Sequence, residues 1–580
     1  MIKKLLASVR ENRRHTILTP LFMLGEVGLE CTLPLFTAKL INAIEKGADS
    51  AVILRYGLLL VLMAMGSMSC GILSGWFAAS AAAGFARNLR HDLFARVQSF
   101  SFANIDRFST SSLVTRLTTD VTNVQNSFMM IIRTAVRSLL MLIFAITMSI
   151  NMGGMTALIF LVVVPILGFG LFFIAKRAMP LFKAVFKKYD RLNNSVQENV
   201  KGMRVVKSFV RESFEKQKFA RASEDVCADF TKAEKLLAIN NPLMLLAMYL
   251  CMSVIPYVSA KLIIGSGGAQ MEVGDLSSLI TYSMQILMSL MMLSMIFVMI
   301  TISGEAARRI VEVLDTEPTL RNPAQPVIEV ADGSIDFENV SFKYNPDAEQ
   351  YALADVNLHI RAGQTVGILG GTGSSKTTLI QLISRLYDVS EGSVKVGGVD
   401  VREYDMAALR NQVAVVLQKN VLFSGTIKEN LRWGDPNASD EEMVHACKLA
   451  QADDFITAVP EGYDRMIEQG GANVSGGQKQ RLCITRALLK KPKILILDDS
   501  TSAVDTATDA RIRAAFRDEL PNVTKLIIAQ RVASVQEADL ILVMDNGRVV
   551  AQGTHETLLA SNEIYREVYT SQTKGDEDNA

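Results

Sequence analysis

Cysteine is sparse and unpatterned in this 580-residue chain. The six cysteines (Cys31, Cys70, Cys227, Cys251, Cys447 and Cys483) form no CxxC pair and no metal-ligand spacing, so they read as small core or lipid-facing residues. An excess of charge of one sign is lacking too. Lys and Arg number 60 against 59 Asp and Glu, a net charge of +1. Neither half interleaves basic patches with exposed aromatics, which argues against nucleic acid as a partner. No cleavable signal peptide is recognisable, because the first apolar run is too long and lacks a cleavage site.

Apolar residues are what the chain has in abundance. They make up 49% of it, and the excess falls before residue 305, which argues for a membrane. At this length the chain is too long for a single domain. Spanning runs need ~20 residues each, and six are found: Ile17–Leu40, Tyr56–Ala82, Ser127–Ile150, Met155–Ala175, Ala238–Ile264 and Leu276–Ile300. The connections around Glu45–Arg55, Asn151–Gly154 and Gly265–Asp275 are short. Those at Arg87–Arg116 and Lys176–Lys235 are long, basic and helical in period, as if the helices continue past the bilayer on one side. Their Lys and Arg excess places that side, both termini and the second half of the chain in the cytoplasm. Met1–His15, with Lys3, Lys4, Arg10, Arg13 and Arg14, reads as an amphipathic helix at the membrane face.

Glu26 and Glu30 lie one helical turn apart on the first span and share a face. Carboxylates facing lipid are costly, so both should face the bundle interior or water. They read either as a site for cationic groups of a substrate or as a pair satisfied by a neighbouring helix. The methionines of Met284–Met299 read equally as an adaptable binding wall or as lipid-facing filler.

The second half carries chemistry. The apolar strand Thr365–Leu369 runs into Gly370-Gly371-Thr372-Gly373-Ser374-Ser375-Lys376-Thr377 and a helical pattern over Thr378–Leu386. Strand, glycine-rich loop, lysine, hydroxyl and helix form a phosphate cradle, with Lys376 for β/γ-phosphates and Thr377 for Mg²⁺. The run Lys493–Leu497 ends in Asp498 and Asp499, as a buried parallel strand delivers carboxylates to a ligand-binding sheet edge. An aspartate there can hold Mg²⁺. Ser475-Gly476-Gly477-Gln478 precedes a helix expected from near Lys479. Alone it is compatible with an ordinary capping turn or with an anion site.

Together, and in this order, these motifs resemble the nucleotide-binding domain of an ATP-binding cassette (ABC) transporter, from about Ile335 to Tyr569. The resemblance implies an adenine-stacking role for Tyr344, and a nucleotide cradle from Gly370 to Thr378. It also implies a Mg²⁺-reporting role for Gln418 beside Thr377 and Asp498, and an interface loop at Ser502–Asp505. Phe102–Val121 and Asn194–Phe209 resemble the two intracellular loops of the type IV exporter fold, with transverse helices near Ala103–Ser111 and Met203–Arg211.

The implied fold is a six-helix membrane bundle fused to an α/β P-loop ATPase. It divides into an amphipathic segment (1–15), a transmembrane domain (16–305), a linker (306–333), a nucleotide-binding domain (334–570) and a polar tail (571–580) expected to fray. Within the ATPase, strands are expected around Ser334–Tyr344, a helical subdomain over Lys428–Lys490, and a closing helical segment over Ala551–Tyr569.

Three positions depart from the family pattern. Asp499 stands where a glutamate polarises the attacking water, Gln530 where a histidine meets the γ-phosphate, and Ser375 where a glycine precedes the lysine. The signature Ser475–Gln478 is complete. In the family two cassettes enclose two ATP molecules, each between one chain's phosphate loop and the other's signature. The departures therefore point to one half of a heterodimeric exporter, and the resemblance implies a small lipophilic or drug-like substrate; the alternatives are an importer of the same fold, a homodimeric exporter of lipid or peptide, or an ATP-gated membrane regulator. This chain would hold a slow ATP–Mg²⁺ site and lend its signature to a different partner subunit. The compact outer loops suit a bacterial plasma membrane.

Overall fold

The computed structural model describes residues 1–500 and 502–577, in two compact units. The first comprises Met1–Ser99 and Phe108–Glu317, the second Phe100–Arg107 and Pro318–Ala580.

Six helices of the first unit are long and apolar enough to cross a membrane: Arg10–Glu45, Ser50–Gln98, Thr110–Gly153, Leu158–Phe182, Glu212–Ser266 and Val273–Asp315. Each expected span falls within one of them, except that the fourth begins after a 3₁₀ turn at Gly154–Ala157. Most of these helices outrun the bilayer. Ser50–Gln98 has 49 residues, ~70 Å at the α-helical rise, against ~30 Å of hydrocarbon. Pro20 and Pro34 interrupt the backbone ladder of the first helix. Side chains of the sixth helix bond carbonyls in the turn around Pro34. The buried Tyr282 hydroxyl donates to the Cys31 carbonyl at 2.7 Å, and Ser278 donates to that of Pro34 at 2.5 Å. On the polar extensions Arg309 grips the buried Asp120 through two bonds of 2.6 and 2.8 Å.

Both transverse helices are shorter than expected. The first is Phe102–Arg107, because Ser109 caps a new helix, Thr110–Thr115, by accepting from the Ser112 N–H. It groups with the second unit, where the Tyr387 hydroxyl donates to Asp106 at 2.6 Å. The second is Met203–Ser208, ended by Val210 at φ +52° before Glu212–Ala238 begins.

The second unit opens with antiparallel strands β1 (Ile335–Phe342) and β2 (Leu353–Ile360). They are followed by β3 (Thr365–Gly370), β4 (Glu391–Val396), β5 (Val399–Asp400) and β6 (Val413–Val416). The helical region carries a small ladder of β7 (Gly425–Thr426) and β8 (Met466–Ile467). The core resumes with β9 (Ile494–Asp498), β10 (Thr524–Ile528), β11 (Leu540–Asp545) and β12 (Arg548–Gly553).

One sheet has the order β12-β11-β3-β10-β9-β6, parallel except for β12 at its edge; the other is antiparallel, β2-β1-β4-β5. The central strands β9 and β10 are buried at every residue, as expected of parallel strands covered on both faces. The closing segment is not all helical. Ala551–Gly553 completes β12, and the helices His555–Ser561 and Glu563–Glu577 follow. The last of these runs into the tail through Glu577, and residues 578–580, where the rest of the fraying was expected, lie outside the described residues.

Candidate functional site

Sheet order alone assembles the site. The strands β3, β10, β9 and β6 are adjacent and parallel, so their carboxyl ends open on one edge, where ligands bind in such sheets. That edge collects the glycine-rich loop after β3, Gln530 after β10, Asp498 and Asp499 at the end of β9, and Gln418 after β6.

Backbone geometry explains the loop's composition. At Gly370 a Cβ would come within 2.3 Å of the Met544 carbonyl oxygen, and Gly373 adopts φ +86°. Ser375 sits at φ +69°, ψ +25°, at the entrance to the helix Lys376–Ile383. This left-handed conformation favours glycine and costs other residues about 1–2 kcal/mol. Lys376 arches over its own loop, donating to the carbonyls of Gly370 (2.9 Å) and Gly371 (2.8 Å) and to Ser374 Oγ (3.2 Å). Burial depresses its ammonium below the usual lysine range, against the pull of Asp498 and Asp499.

The Thr377 hydroxyl donates to Asp498 Oδ2 at 2.9 Å. Burial raises the Asp498 carboxyl above the ordinary range, and Asp499 adds to the shift while Thr377 and Lys376 oppose it. Among the described residues no three His, Cys, Asp or Glu side chains gather as a metal cluster. One hydroxyl and one carboxylate at the edge of a phosphate cradle is nonetheless the donor set that suits Mg²⁺, which prefers a few protein oxygens plus phosphate and water. Thr377 and Asp498 fit that ion.

Asp499 is held at φ +49°. Its carboxylate Oδ2 accepts from Gln530 Nε2 at 3.0 Å and from Gln418 Nε2 at 3.5 Å. The three residues named for this corner therefore converge on one oxygen. Tyr344 is half exposed. Its hydroxyl lies 2.9 Å from Thr378 Oγ1 and donates to Gln381 at 3.1 Å, and its ring stands edge-on to Tyr387 with centroids 5.2 Å apart.

Ser475 caps the helix Gly476–Leu489, which starts three residues before the expected Lys479. Ser475 and Gln478 form a reciprocal capping box: the Gln478 N–H donates to Ser475 Oγ at 3.3 Å, and the Ser475 N–H to Gln478 Oε1 at 3.0 Å. A capping turn and an anion site are thus the same object, since the exposed helix start still points amides outward. At Gly477 a Cβ would lie 2.8 Å from the Ala503 carbonyl oxygen. Asp505 caps the helix Thr506–Glu519 by accepting from the Thr508 N–H at 2.9 Å; the bonds to Thr508 hold its carboxyl below the usual range.

No hydrogen bond joins Ser475–Gln478 to the glycine-rich loop among the described residues. The signature is tied instead to Ser502 and Ala503 by Gln480, a residue that sequence reasoning missed. Gln480 is buried; its Oε1 accepts from the Ala503 N–H at 3.0 Å, and its Nε2 donates to Ser502 Oγ at 3.2 Å. Its one sequence signal is a polar residue at i+4 from Gly476, on the inward face.

In the first unit, Glu26 and Glu30 are brought together by Arg137, a residue that sequence reasoning also missed. The guanidinium lies 2.9 Å from Glu30 Oε2 and 3.6 Å from Glu26 Oε1, while Glu26 Oε2 is buried without a hydrogen-bond partner.

Six spanning helices and a P-loop ATPase with a signature turn define a membrane translocase of the ATP-binding cassette class. Comparison with known proteins gives the same answer. Residues 16–290 match the ABC transporter transmembrane region, and 353–502 match the ABC transporter family. The chain is 37% identical over 552 residues, 95% of each chain, to the uncharacterized ABC transporter ATP-binding protein YfiB of Bacillus subtilis. It is 33% identical to a fatty acid ABC transporter ATP-binding/permease protein of Mycobacterium tuberculosis, covering 82% of this chain and 75% of that one. A solved bacterial Atm1-family ABC exporter with ATP bound superposes with a TM-score of 0.84 at 27% identity, over 97% of this chain and 98% of the other. The chain belongs to the ABC transporter family. It is a half-subunit with the exporter fold, its ATP-binding domain implies ATPase activity, and exporters of this kind work as dimers in a membrane.

Proposed function

We propose that this chain is the degenerate-site half of a heterodimeric ABC exporter, resident in a plasma membrane with its ATPase in the cytoplasm. In this reading Tyr344 stacks on adenine. Gly370–Thr378 cradles the phosphates, while Thr377, Asp498 and Gln418 serve Mg²⁺. Asp499 and Gln530 make hydrolysis slow. A carboxylate one methylene short is misplaced by ~1 Å, which alone can cost about 10²-fold in rate. Glutamine bonds phosphate without the charge of histidine. Ser475–Gln478, and Asp505 beside it, complete the site of a partner that supplies glutamate and histidine.

The observation that carries the reading is the Asp499 corner, where the Gln530 amide sits 3.0 Å from the carboxylate that would have to polarise water. An amide on that oxygen occupies a lone pair that an attacking water would otherwise donate to. ATP binding closes the two cassettes, and the transverse helices pass the motion to the spans, which alternate between inward and outward access. The cargo is a small lipophilic molecule. Glu26 Oε2, buried without a hydrogen-bond partner, supports a cationic group on it.

The test is ATPase activity of the assembled pair. Asp499→Ala should leave turnover within about twofold, while Ser475→Arg, which blocks the helix start offered to the partner, should lower it by about tenfold or more. Equal losses would contradict the asymmetry. Uptake of the transported molecule into inside-out vesicles, driven by ATP, tests the direction.

A further inference from the structure

The final helix borders the nucleotide edge, with Ile564, Tyr565 and Val568 lining a cavity beside the glycine-rich loop, and one of its side chains bonds the backbone there. Along Glu563–Glu577, Tyr565, Tyr569 and Gln572 fall at i, i+4 and i+7 and so share a face. The first two anchor the helix. Tyr565 is buried, its hydroxyl 2.7 Å from His555 Nδ1, and its N–H donates to Asn562 Oδ1 at 2.8 Å. The Tyr569 ring meets the same imidazole edge-on, with centroids 5.1 Å apart.

Gln572 does something else. Its Nε2 donates to the Gln530 carbonyl at 2.8 Å, and its Oε1 accepts from the Val532 N–H, also at 2.8 Å. The Val532 amide opens the 3₁₀ turn Val532–Ser534, where the turn itself supplies no acceptor. One side-chain amide thus brackets the backbone on both sides of Arg531, as a neighbouring strand would. The Gln530 side chain leaves that fixed backbone to meet Asp499.

We infer that Gln572 is a positioning residue for Gln530: the last helix fixes where the γ-phosphate-facing amide stands, and so governs how well this site distinguishes a nucleoside triphosphate from a diphosphate. The inference rests on the placement of Gln530 at the γ-phosphate proposed above. Docking of the helix does not require Gln572, because Tyr565 and His555 already hold it.

The experiment measures equilibrium binding of Mg-AMP-PNP and MgADP to the full-length chain in nanodiscs. Gln572→Ala should weaken Mg-AMP-PNP binding by about three- to tenfold, the worth of one or two hydrogen bonds, and leave MgADP unchanged. Gln572→Glu, which keeps the acceptor but sets a carboxylate against the Gln530 carbonyl, should do the same. In a Gln530→Ala background Gln572→Ala should add less than about twofold, because both act through one group.

An unchanged triphosphate-to-diphosphate ratio in Gln572→Ala would overturn the inference, as would full additivity with Gln530→Ala, or equal weakening of both nucleotides. The two readings separate in the single variants. If Gln530→Ala itself leaves the ratio unchanged, the γ-phosphate placement fails first. If Gln530→Ala shifts it and Gln572→Ala does not, the positioning role alone fails.

Discussion

Asp498 sits in a conflict between stability and function. Burial raises its carboxyl pKa in the folded protein above the unfolded value. A group shifted in this direction favours the folded state most at low pH, and that contribution is lost as pH rises through the folded pKa. At neutral pH the ionised carboxylate therefore opposes folding, for the sake of a charge that a cation needs. Asp498→Asn should raise the nucleotide-free melting temperature by about 2 °C while abolishing Mg²⁺-dependent nucleotide binding. A differential thermal scan with and without Mg-AMP-PNP checks both. For the same reason Mg²⁺-dependent binding in the native protein should fade on acidification at a higher pH than an ordinary carboxylate would give. Ser375 stores a smaller conflict. Held at φ +69°, it should accept glycine with a gain of up to about 1 kcal/mol, measured as an upward shift in melting temperature, because glycine takes that conformation without a Cβ penalty.

At the scale of elements, the helix Gly476–Leu489 is built to be close to its neighbour. Gly477 lets the Ala503 carbonyl oxygen approach to where a Cβ would stand 2.8 Å away. Gly477→Ala should therefore push the helix start off Ala503 and lower ATPase activity of the assembled pair by about tenfold with little loss of nucleotide binding by this chain's own cradle. Activity and binding measured on the same preparation separate the two effects.

The elements themselves were largely legible in the sequence. Six apolar runs give six helices because length and hydropathy suffice for a spanning segment. The strand–loop–helix of the cradle is legible because glycines mark its turns. Ends were less legible. Ser109 and Val210 stop the transverse helices early by capping and by a positive φ, signals too local for periodicity to reveal. The strand Arg548–Gly553 pairs with β11 at a sheet edge, where its residues alternate only between exposed and half-buried and none is fully buried. What the sequence could not offer was convergence across distance. Gln480, Arg137 and Gln572 are ordinary polar residues whose roles arise only when turns far apart in the chain meet.

At the scale of the whole molecule, an exporter's ATP sites are shared between two chains, so defects need not be symmetric. On the proposed reading, a chain with an intact signature but Asp499 and Gln530 in its own site would work best opposite a chain with the reverse combination. Within the first unit, the bidentate Arg309–Asp120 pair joins the polar extensions of the third and sixth helices, and Asp120 is almost fully buried. Removing Arg309 leaves the buried Asp120 carboxylate without this bidentate contact, whereas Arg309 itself is 42% exposed and can turn to water. Arg309→Ala should cost about 3 kcal/mol of stability, seen as a lower melting temperature in detergent.

The most direct measurement is ATP turnover by the purified chain on its own, native and carrying Asp499→Glu together with Gln530→His. The division of labour predicts slow turnover in the native protein and a rise of about tenfold or more in the double variant, as a properly placed base and a charged phosphate contact are restored. Rapid turnover by the native chain, with no gain from the two substitutions, would contradict it.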